Sequence, residues 1–495
     1  MAKFFAAIDC GTSAIKAAIF SENGKSKSIV FDFYYPYLKS QSKVEQNPQL
    51  LIKKIYSCLK KAVEKANIKP NSVLSLSLST QRATFLAVDK RGKPLTNIIS
   101  WQDQRGKEMM IGFAKKISDK SYYQITGLPS NPIFSLAKIL WIQKNANQIY
   151  KKIDKFTLLH SYILKELGCK DYLEDHSNAS LSGLLDIRKL TWSKQLLKTI
   201  NLDENKLADL VPSGKVVGYL SKRAAKKTGL VEGLPLVSGG GDQQCAALGA
   251  GAIKPGVLEV TLGTAGVPLI YSKQPVFDPK LRIMCCAHVL EGCWELEGFQ
   301  GCVGASIQWF NNLIGGKKFA KAIFKKVEKS GAGANGILFY PYLTGASCPN
   351  WNPNAKGVFL GLSLGSKKVD LLRAIIEGIS FETKETIDLF SHLGIKIKEV
   401  RLTGGYSKNN VWNQIQADIY QRRLITLGNH QATLAGGAAL AAYGIGVDKD
   451  LKQTALRFSK IKRIFYPDKK KKLTYNKIYK KYRKIYKIFD KNKIF

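Results

Sequence analysis

Two short turns in this sequence carry the residue types needed to hold a phosphate chain. The first is Asp9-Cys10-Gly11-Thr12-Ser13 and the second is Leu262-Gly263-Thr264-Ala265-Gly266. Each sits between two apolar, strand-like runs, so each reads as the turn of a β-hairpin. Glycine in such a turn lets backbone N–H groups approach an anion closely, and the hydroxyls of Thr12, Ser13 and Thr264 add donors. Asp9 closes its strand, where a carboxylate can hold Mg2+ through water. Between the two turns lies Gly239-Gly240-Gly241-Asp242, a carboxylate reached along backbone that carries no side chains. A single D-x-G-T is an ordinary turn; two hydroxyl-bearing turns separated by this segment point to phosphate chemistry.

Other phosphate-binding patterns are missing or out of context. No G-x-x-x-x-G-K-[ST] segment occurs, which excludes a P-loop. A literal G-x-G-x-x-G at Gly331, Gly333 and Gly336 precedes the strand-like ILFYPYL instead of opening a helix, and is read as a loop.

The elements that must position these turns follow from periodicity. The opening FFAAIDCGTSAIKAAIF reads as strand, tight turn, strand, with a further turn at Glu22-Asn23-Gly24. Helical spacing covers 49–66, and strands are expected at 73–79 and 84–88. Downstream, the pattern predicts helices at 368–390 and 410–420, a strand at 398–403, and an Ala/Gly-rich helix at 431–444 that must pack closely against another element. Two halves that each open with a hydroxyl- and glycine-bearing hairpin suggest a duplicated domain. The expected division is 1–250, 251–446 and a basic helical tail at 447–495 packed on the second domain.

At 495 residues, with 45% hydrophobic and 10% aromatic residues, the chain can build more than one core. Nine cysteines without a C-x-x-C pair suit thiols in a reducing compartment. The N-terminus is unlike a cleavable signal peptide, and no apolar stretch approaches the roughly 18 residues of a membrane span, so a cytoplasmic protein is expected. The net charge of +40 raises nucleic acid as a partner. No nucleic-acid-reading motif accompanies it, however. In the lysine-rich tail, Tyr475, Ile478, Tyr479, Tyr482, Ile485, Tyr486 and Phe489 recur at helical spacing, which predicts a docked helix with its lysines in solvent. Nucleic-acid binding is therefore the less favoured reading.

Taken in order, the segments resemble the FGGY carbohydrate kinases, relatives of glycerol kinase and xylulokinase in the actin and hexokinase-like superfamily. DCGTSAIK is similar to the family's first phosphate loop. VEQNP, STQRATFLAVD and SWQDQR resemble its N-terminal substrate segments, and NPIFSLAKILWIQKN one of its signatures. GGGDQQCAALGAG looks like the segment bearing the catalytic aspartate, and TLGTAG like the second phosphate loop. GASIQW and GGYSKNNVWNQIQAD are similar to nucleotide-binding segments, and KGVFLGLSLGSKKVDLLRAIIEGISFE to a second signature. The resemblance spans nearly the whole chain. It implies an α/β protein of two ribonuclease-H-like, actin/hexokinase-like ATPase domains with an interdomain cleft. It also implies ATP and Mg2+ as cofactors and a small sugar or polyol as acceptor, with a homodimer left open.

Residue by residue, the resemblance makes Asp242 the general base, a role that suits a carboxylate where backbone and substrate approach closely. An N-cap role ahead of QQCAALGA is the alternative for Asp242. Asp9 would organise Mg2+, Lys16 would offset phosphate charge or face solvent, and Thr12, Ser13, Gly263 and Thr264 would bind phosphates. Gly304, Gln308, Gly405 and Asn409 would surround the nucleoside, with polar helix-end bonding as the alternative for Gln308 and Asn409. The acceptor needs planar donors and an aromatic wall, which Gln81, Arg82, Trp101, Asp103, Asp242 and Gln243 provide. Arg105 either joins them or pairs with Asp103. Where glycerol kinases carry Gln-Arg-Glu and Asp-Pro-Tyr-Phe-Ser, this chain has Gln81-Arg82-Ala83 and Asn131-Pro132-Ile133-Phe134-Ser135, and Val267 replaces an aromatic. The Met-His of xylulokinases is missing too. A pentulose or pentitol is the expected acceptor and glycerol the alternative. A silent sugar or nucleotide sensor, or an RNA-associated protein, is the alternative of another class.

Overall fold

The computed structural model describes residues 3–40, 42–316 and 324–494. The chain divides into two compact, interleaved units. The first comprises Met1–Ile253, Ser272–Glu295 and Gln431–Lys460, and the second Lys254–Tyr271, Leu296–His430 and Ile461–Phe495.

The first unit is built on strands β1 (Phe4–Cys10), β2 (Ala14–Ser21) and β3 (Ser26–Phe33), helix α1 (Pro48–Ala66), and strand β4 (Val73–Thr80). There follow helices α2 (Ser135–Asn145), α3 (Leu159–Leu167) and α4 (His176–Ser180), strands β5 (Val216–Tyr219) and β6 (Pro235–Gly241), and helix α5 (Asp242–Ala250). The sheet order is β5-β6-β4-β1-β2-β3. All seven residues of β1 are buried, which is why five apolar residues run together before Asp9 instead of alternating with polar ones. β1, β4 and β6 are mutually parallel, with Cys10 level with Thr80 and Thr80 level with Gly241. Their C-terminal ends therefore deliver Gly11-Thr12, Gln81-Arg82 and Asp242 to one edge, where parallel sheets hold their ligands.

Helix α1 starts one residue before its expected position because Asn47 accepts a hydrogen bond from the Leu50 amide at 2.8 Å and Pro48 occupies the first turn. The Ala/Gly-rich helix at Ala432–Gly444 packs on α5, as its composition required. A Cβ on Gly249 would lie 2.0 Å from the Ala432 carbonyl oxygen, and one on Gly436 1.9 Å from that of Cys245.

In the second unit, β7 (Val257–Leu262) and β8 (Gly266–Ser272) form the second hairpin, followed by α6 (Gly304–Leu313) and the long α7 (Lys368–His392). β9 (Glu399–Thr403) lies parallel to β7, helix α8 (Asn410–Tyr420) follows, and β10 (Arg423–Leu427) lies parallel to β9. The G-x-G-x-x-G segment is short turns ahead of a strand at Leu338–Tyr340, a loop as its context indicated.

The tail is not one helix. Leu451–Phe458 is a separate short helix capped by Asp450, and β11 (Ile461–Phe465) is an exposed strand antiparallel to β10. Lys462 and Arg463 of β11 suit a sheet edge, which charge protects from further pairing. The aromatic helix α9 spans Lys472–Lys491 and buries Tyr475, Tyr479, Tyr482 and Tyr486. Tyr475 Oη donates to Glu377 at 2.9 Å and accepts from Arg373 at 2.6 Å, while Tyr482 stacks on Tyr340 with centroids 4.4 Å apart. Lys477, Lys480, Lys481, Lys484 and Lys487 occupy its exposed face.

Candidate active site

In the first unit Asp9 and Lys16 face each other across the β1–β2 ladder, with Nζ 2.8 Å from Oδ2. Lys16, half-buried, is thus paired with the carboxylate beside the turn. The Asp9 charge raises its pKa against the opposing pull of burial, and Asp242 adds to the effect. Asp9 Oδ1 is buried without a hydrogen-bond partner among the described residues. An orphaned carboxylate oxygen at a strand end, in a turn lined with hydroxyls, fits a hard cation and its water.

The first turn is latched by side chains. Trp101 Nε1 donates to Thr12 Oγ1 at 2.9 Å, Gln46 Nε2 donates to the Thr12 carbonyl at 3.0 Å, and Gln81 Nε2 donates to Gln46 Oε1 at 2.9 Å. Trp101 therefore holds the first turn. Ser13 is exposed next to it. Gln46 escaped the sequence reading although it lies within VEQNP, because its partners are distant in sequence.

Asp242 is the first residue of α5, not its cap. Its Oδ1 accepts from the Gln243 amide at 2.9 Å and lies 3.2 Å from Arg82 Nε. The Asp242 side chain is 27% exposed, against 4% for Asp9, so one carboxylate is open to a ligand while the other is sunk in the turn. The glycines ahead of it are explained by contact: a Cβ on Gly239 would sit 1.6 Å from the Leu78 carbonyl oxygen, and one on Gly241 2.5 Å from Arg82 Cδ.

Asp103, expected among the acceptor ligands, is fully buried and occupied. Arg105 binds both of its oxygens, at 2.8 and 2.7 Å, and the Val44 amide donates to Oδ2 at 2.7 Å. Arg105 also reaches Glu45 at 2.7 Å, so the pairing alternative describes it. Gln81, Arg82, Trp101 and Gln243 are the remaining residues expected to meet the acceptor. A further residue, Lys138 on α2, is buried and donates to the carbonyls of Ile133 and Trp101, the latter at 3.4 Å. Burial lowers its pKa to about 7. A lysine on a helix face of otherwise apolar residues was the available signal.

In the second unit the turn is stitched by backbone. Gly304 N donates to the Gly263 carbonyl at 2.9 Å, and Val303 N and Ala305 N both donate to the Thr264 carbonyl at 3.1 Å. A Cβ on Gly304 would fall 2.4 Å from Tyr406 Cε2. Gly404 has φ +78, and a Cβ there would lie 2.5 Å from the Leu262 carbonyl oxygen, whereas Gly405 beside it faces open space. That bare backbone ledge is suited to a flat ligand. Gln308 is exposed on α6. Asn409 Oδ1 accepts from the Trp412 amide at 3.0 Å and caps α8, so its helix-end role is realised.

The FGGY family of carbohydrate kinases, N-terminal domain, matches residues 4–249, and its C-terminal domain matches residues 258–445. This chain belongs to the FGGY family of carbohydrate kinases. As an FGGY kinase it is an ATP-dependent transferase acting on a carbohydrate. It is 30% identical to the xylulose kinase of Bacillus subtilis (strain 168), covering 98% of this chain and 97% of that protein. It is 31% identical to a glycerol kinase of Thermococcus kodakarensis, covering 97% and 96%. The fold is that of the gluconate kinase from Lactobacillus acidophilus, with a TM-score of 0.91 at 24% identity over 99% of this chain and 98% of that one. No helix among the described residues of this FGGY kinase is long and apolar enough to cross a membrane.

Proposed function

We propose that this FGGY kinase transfers the γ-phosphoryl group of ATP to a hydroxyl of a pentulose or pentitol, with Asp242 as general base. The observation that carries this reading is the Arg82–Asp242 pair, 3.2 Å apart at the ends of adjacent parallel strands, with the carboxylate partly open. Asp242 takes the acceptor proton at its carboxylate as the new O–P bond forms. Arg82 holds that carboxylate in place until the acceptor arrives. In the same unit Thr12 and Ser13 are proposed to donate to phosphate oxygens, with Lys16 supplying positive charge. Asp9 would hold Mg2+ through its free oxygen, and the ion would neutralise phosphate charge when bound. In the second unit Gly263, Thr264, Gly304, Gln308, Gly405 and Asn409 are the proposed nucleotide contacts. Nine cysteines without a C-x-x-C pair, eight of them buried, support a cytoplasmic setting.

The acceptor assignment rests on two positions. A small triol is selected by pairing nearly every hydroxyl, and the loss of such partners costs on the order of 10⁴-fold in discrimination. Ala83, buried at φ +54, and Ile133 offer no side-chain hydrogen bond and leave an apolar wall for a longer acceptor. The test is ADP release at saturating MgATP across glycerol, gluconate, pentitols, ketopentoses and hexoses. A pentulose or pentitol is expected to show the highest kcat/KM, and preference for glycerol or gluconate would overturn the assignment. Asp242→Asn is expected to lower kcat by about 10²- to 10⁴-fold with nucleotide affinity kept, and near-normal turnover would remove Asp242 from the mechanism.

A further inference from the structure

The strand that delivers Asp242 is not held by its ladder alone. On one side, the β6–β4 register shifts between Val237 and Gly240. On the other, the β5 ladder ends at Val216–Val237, with Gly214 and Lys215 bonding only Ser238 beyond it. The amides of Gly239 and Gly241 are instead taken by side chains from two helices. Gly239 N donates to His160 Nε2 at 3.1 Å, and Gly241 N donates to Ser177 Oγ at 2.9 Å.

We infer that Ser177 and His160 are positioning residues for Asp242: they replace the missing strand partner and so set where β6 delivers the carboxylate. This rests on the reading of Asp242 as the base. Both acceptors are themselves fixed. Ser177 Oγ donates to Asp175 Oδ1, and Asp175 also accepts from the Ser177 amide at 2.9 Å and from Asn178 Nδ2 at 2.6 Å. Asn178 Oδ1 in turn accepts from Thr80 Oγ1 at 3.1 Å, at the end of β4 that leads into Gln81-Arg82. One buried carboxylate thus ties the strand carrying Arg82 to the strand carrying Asp242. Because Nε2 of His160 accepts from Gly239, its ring proton sits on Nδ1, 3.1 Å from Glu174 Oε1. A neutral ring in that tautomer has no lone pair left for an ion, which favours a brace over the cation site that the buried His160, Glu174 and Asp175 could otherwise form.

The experiment compares kcat and both KM values for Ser177→Ala and Ser177→Thr, with thermal melts to establish folding. Ser177→Ala loses the acceptor for Gly241 N, and kcat is expected to fall about 10- to 100-fold while the KM for ATP stays within about twofold. Ser177→Thr keeps the oxygen and is expected to recover kcat to within a few-fold. If the added methyl prevents folding, His160→Gln, which keeps an acceptor near Nε2, against His160→Leu provides the same contrast at Gly239. A folded Ser177→Ala enzyme with a lowered melting temperature and unchanged kcat shows a merely structural role and overturns the inference. Asp242→Asn measured alongside separates the two levels. Loss of turnover there with none in Ser177→Ala overturns only the positioning role, whereas retained turnover in Asp242→Asn overturns the base assignment and the inference with it.

Discussion

The two hairpin turns share a layout and differ in how they are held. In the first, a carboxylate and a lysine face each other beside the turn, and side chains of Trp101 and Gln46 fasten Thr12. In the second, three backbone amides of residues 303–305 bind the carbonyls of Gly263 and Thr264. The acid on the strand leading into the second turn, Glu259, is buried and accepts hydroxyls from Thr261 at 2.8 Å and Thr403 at 2.5 Å. A turn held by charge would suit the charged ligand and metal proposed for it; a turn held by backbone offers shape. Substitutions should therefore damage the first through electrostatics and the second through sterics.

The largest effect tests the charged turn. Asp9→Asn keeps the side-chain shape but removes the charge that pairs Lys16 and the oxygen available to a cation. With Mg2+ fixed near physiological levels, kcat/KM is expected to fall by about 10³-fold, in line with the loss of a preorganised electrostatic group. Partial recovery at high Mg2+ would sharpen the assignment, and a loss below tenfold would break the contrast between the turns.

The second effect is steric. Gly304→Ala places a methyl 2.4 Å from the Tyr406 ring and 2.5 Å from the Gly263 carbonyl oxygen, so the hydrogen-bonded corner must open. The KM for ATP is expected to rise about tenfold, with a smaller change in kcat and none in the KM for the acceptor. An unchanged KM for ATP would show that the second turn does not depend on that corner.

What the sequence disclosed and what it withheld follow the same division. Local patterns were legible: both glycine turns, helices close to their expected limits because Asn47 and Asn409 cap them, and the tyrosine stripe of α9. The need of the Ala/Gly helix for a close partner was also readable, since small residues announce a close approach before the partner is known. Withheld were groups assembled from distant segments, such as Gln46 with Thr12 and Gln81, Lys138 beneath Ile133 and Trp101, and His160 with Gly239. Their partners are not readable from any one segment, because each group is completed by a long-range contact. The tail departs from the expected helical segment because its charged residues mask a change from helix to edge strand and back to helix.

The smallest effect on turnover, and the sharpest check on the uncharged turn, comes from Glu259. Burial raises its pKa from 4.5 to about 8, with the hydroxyls of Thr403 and Thr261 opposing the rise. The folded protein therefore keeps a proton on Glu259 that the unfolded chain releases near pH 4.5. Below that pH the two states bind this proton equally and its stabilising contribution is fully present. Between about 4.5 and about 8 the folded state binds more protons, so stability falls as pH rises, by up to about 1.4 kcal/mol per unit for this group. Glu259→Gln has no proton to lose. Its melting temperature is expected to vary less between pH 5 and pH 8 than that of the parent, while kcat at pH 7 stays within a few-fold. Other buried acids, such as Glu174, whose pKa burial lifts to about 7, contribute equally to both proteins and cancel in the difference. Parallel melting curves across that range would mean that Glu259 is ionised in the fold, and that the second turn carries charge after all.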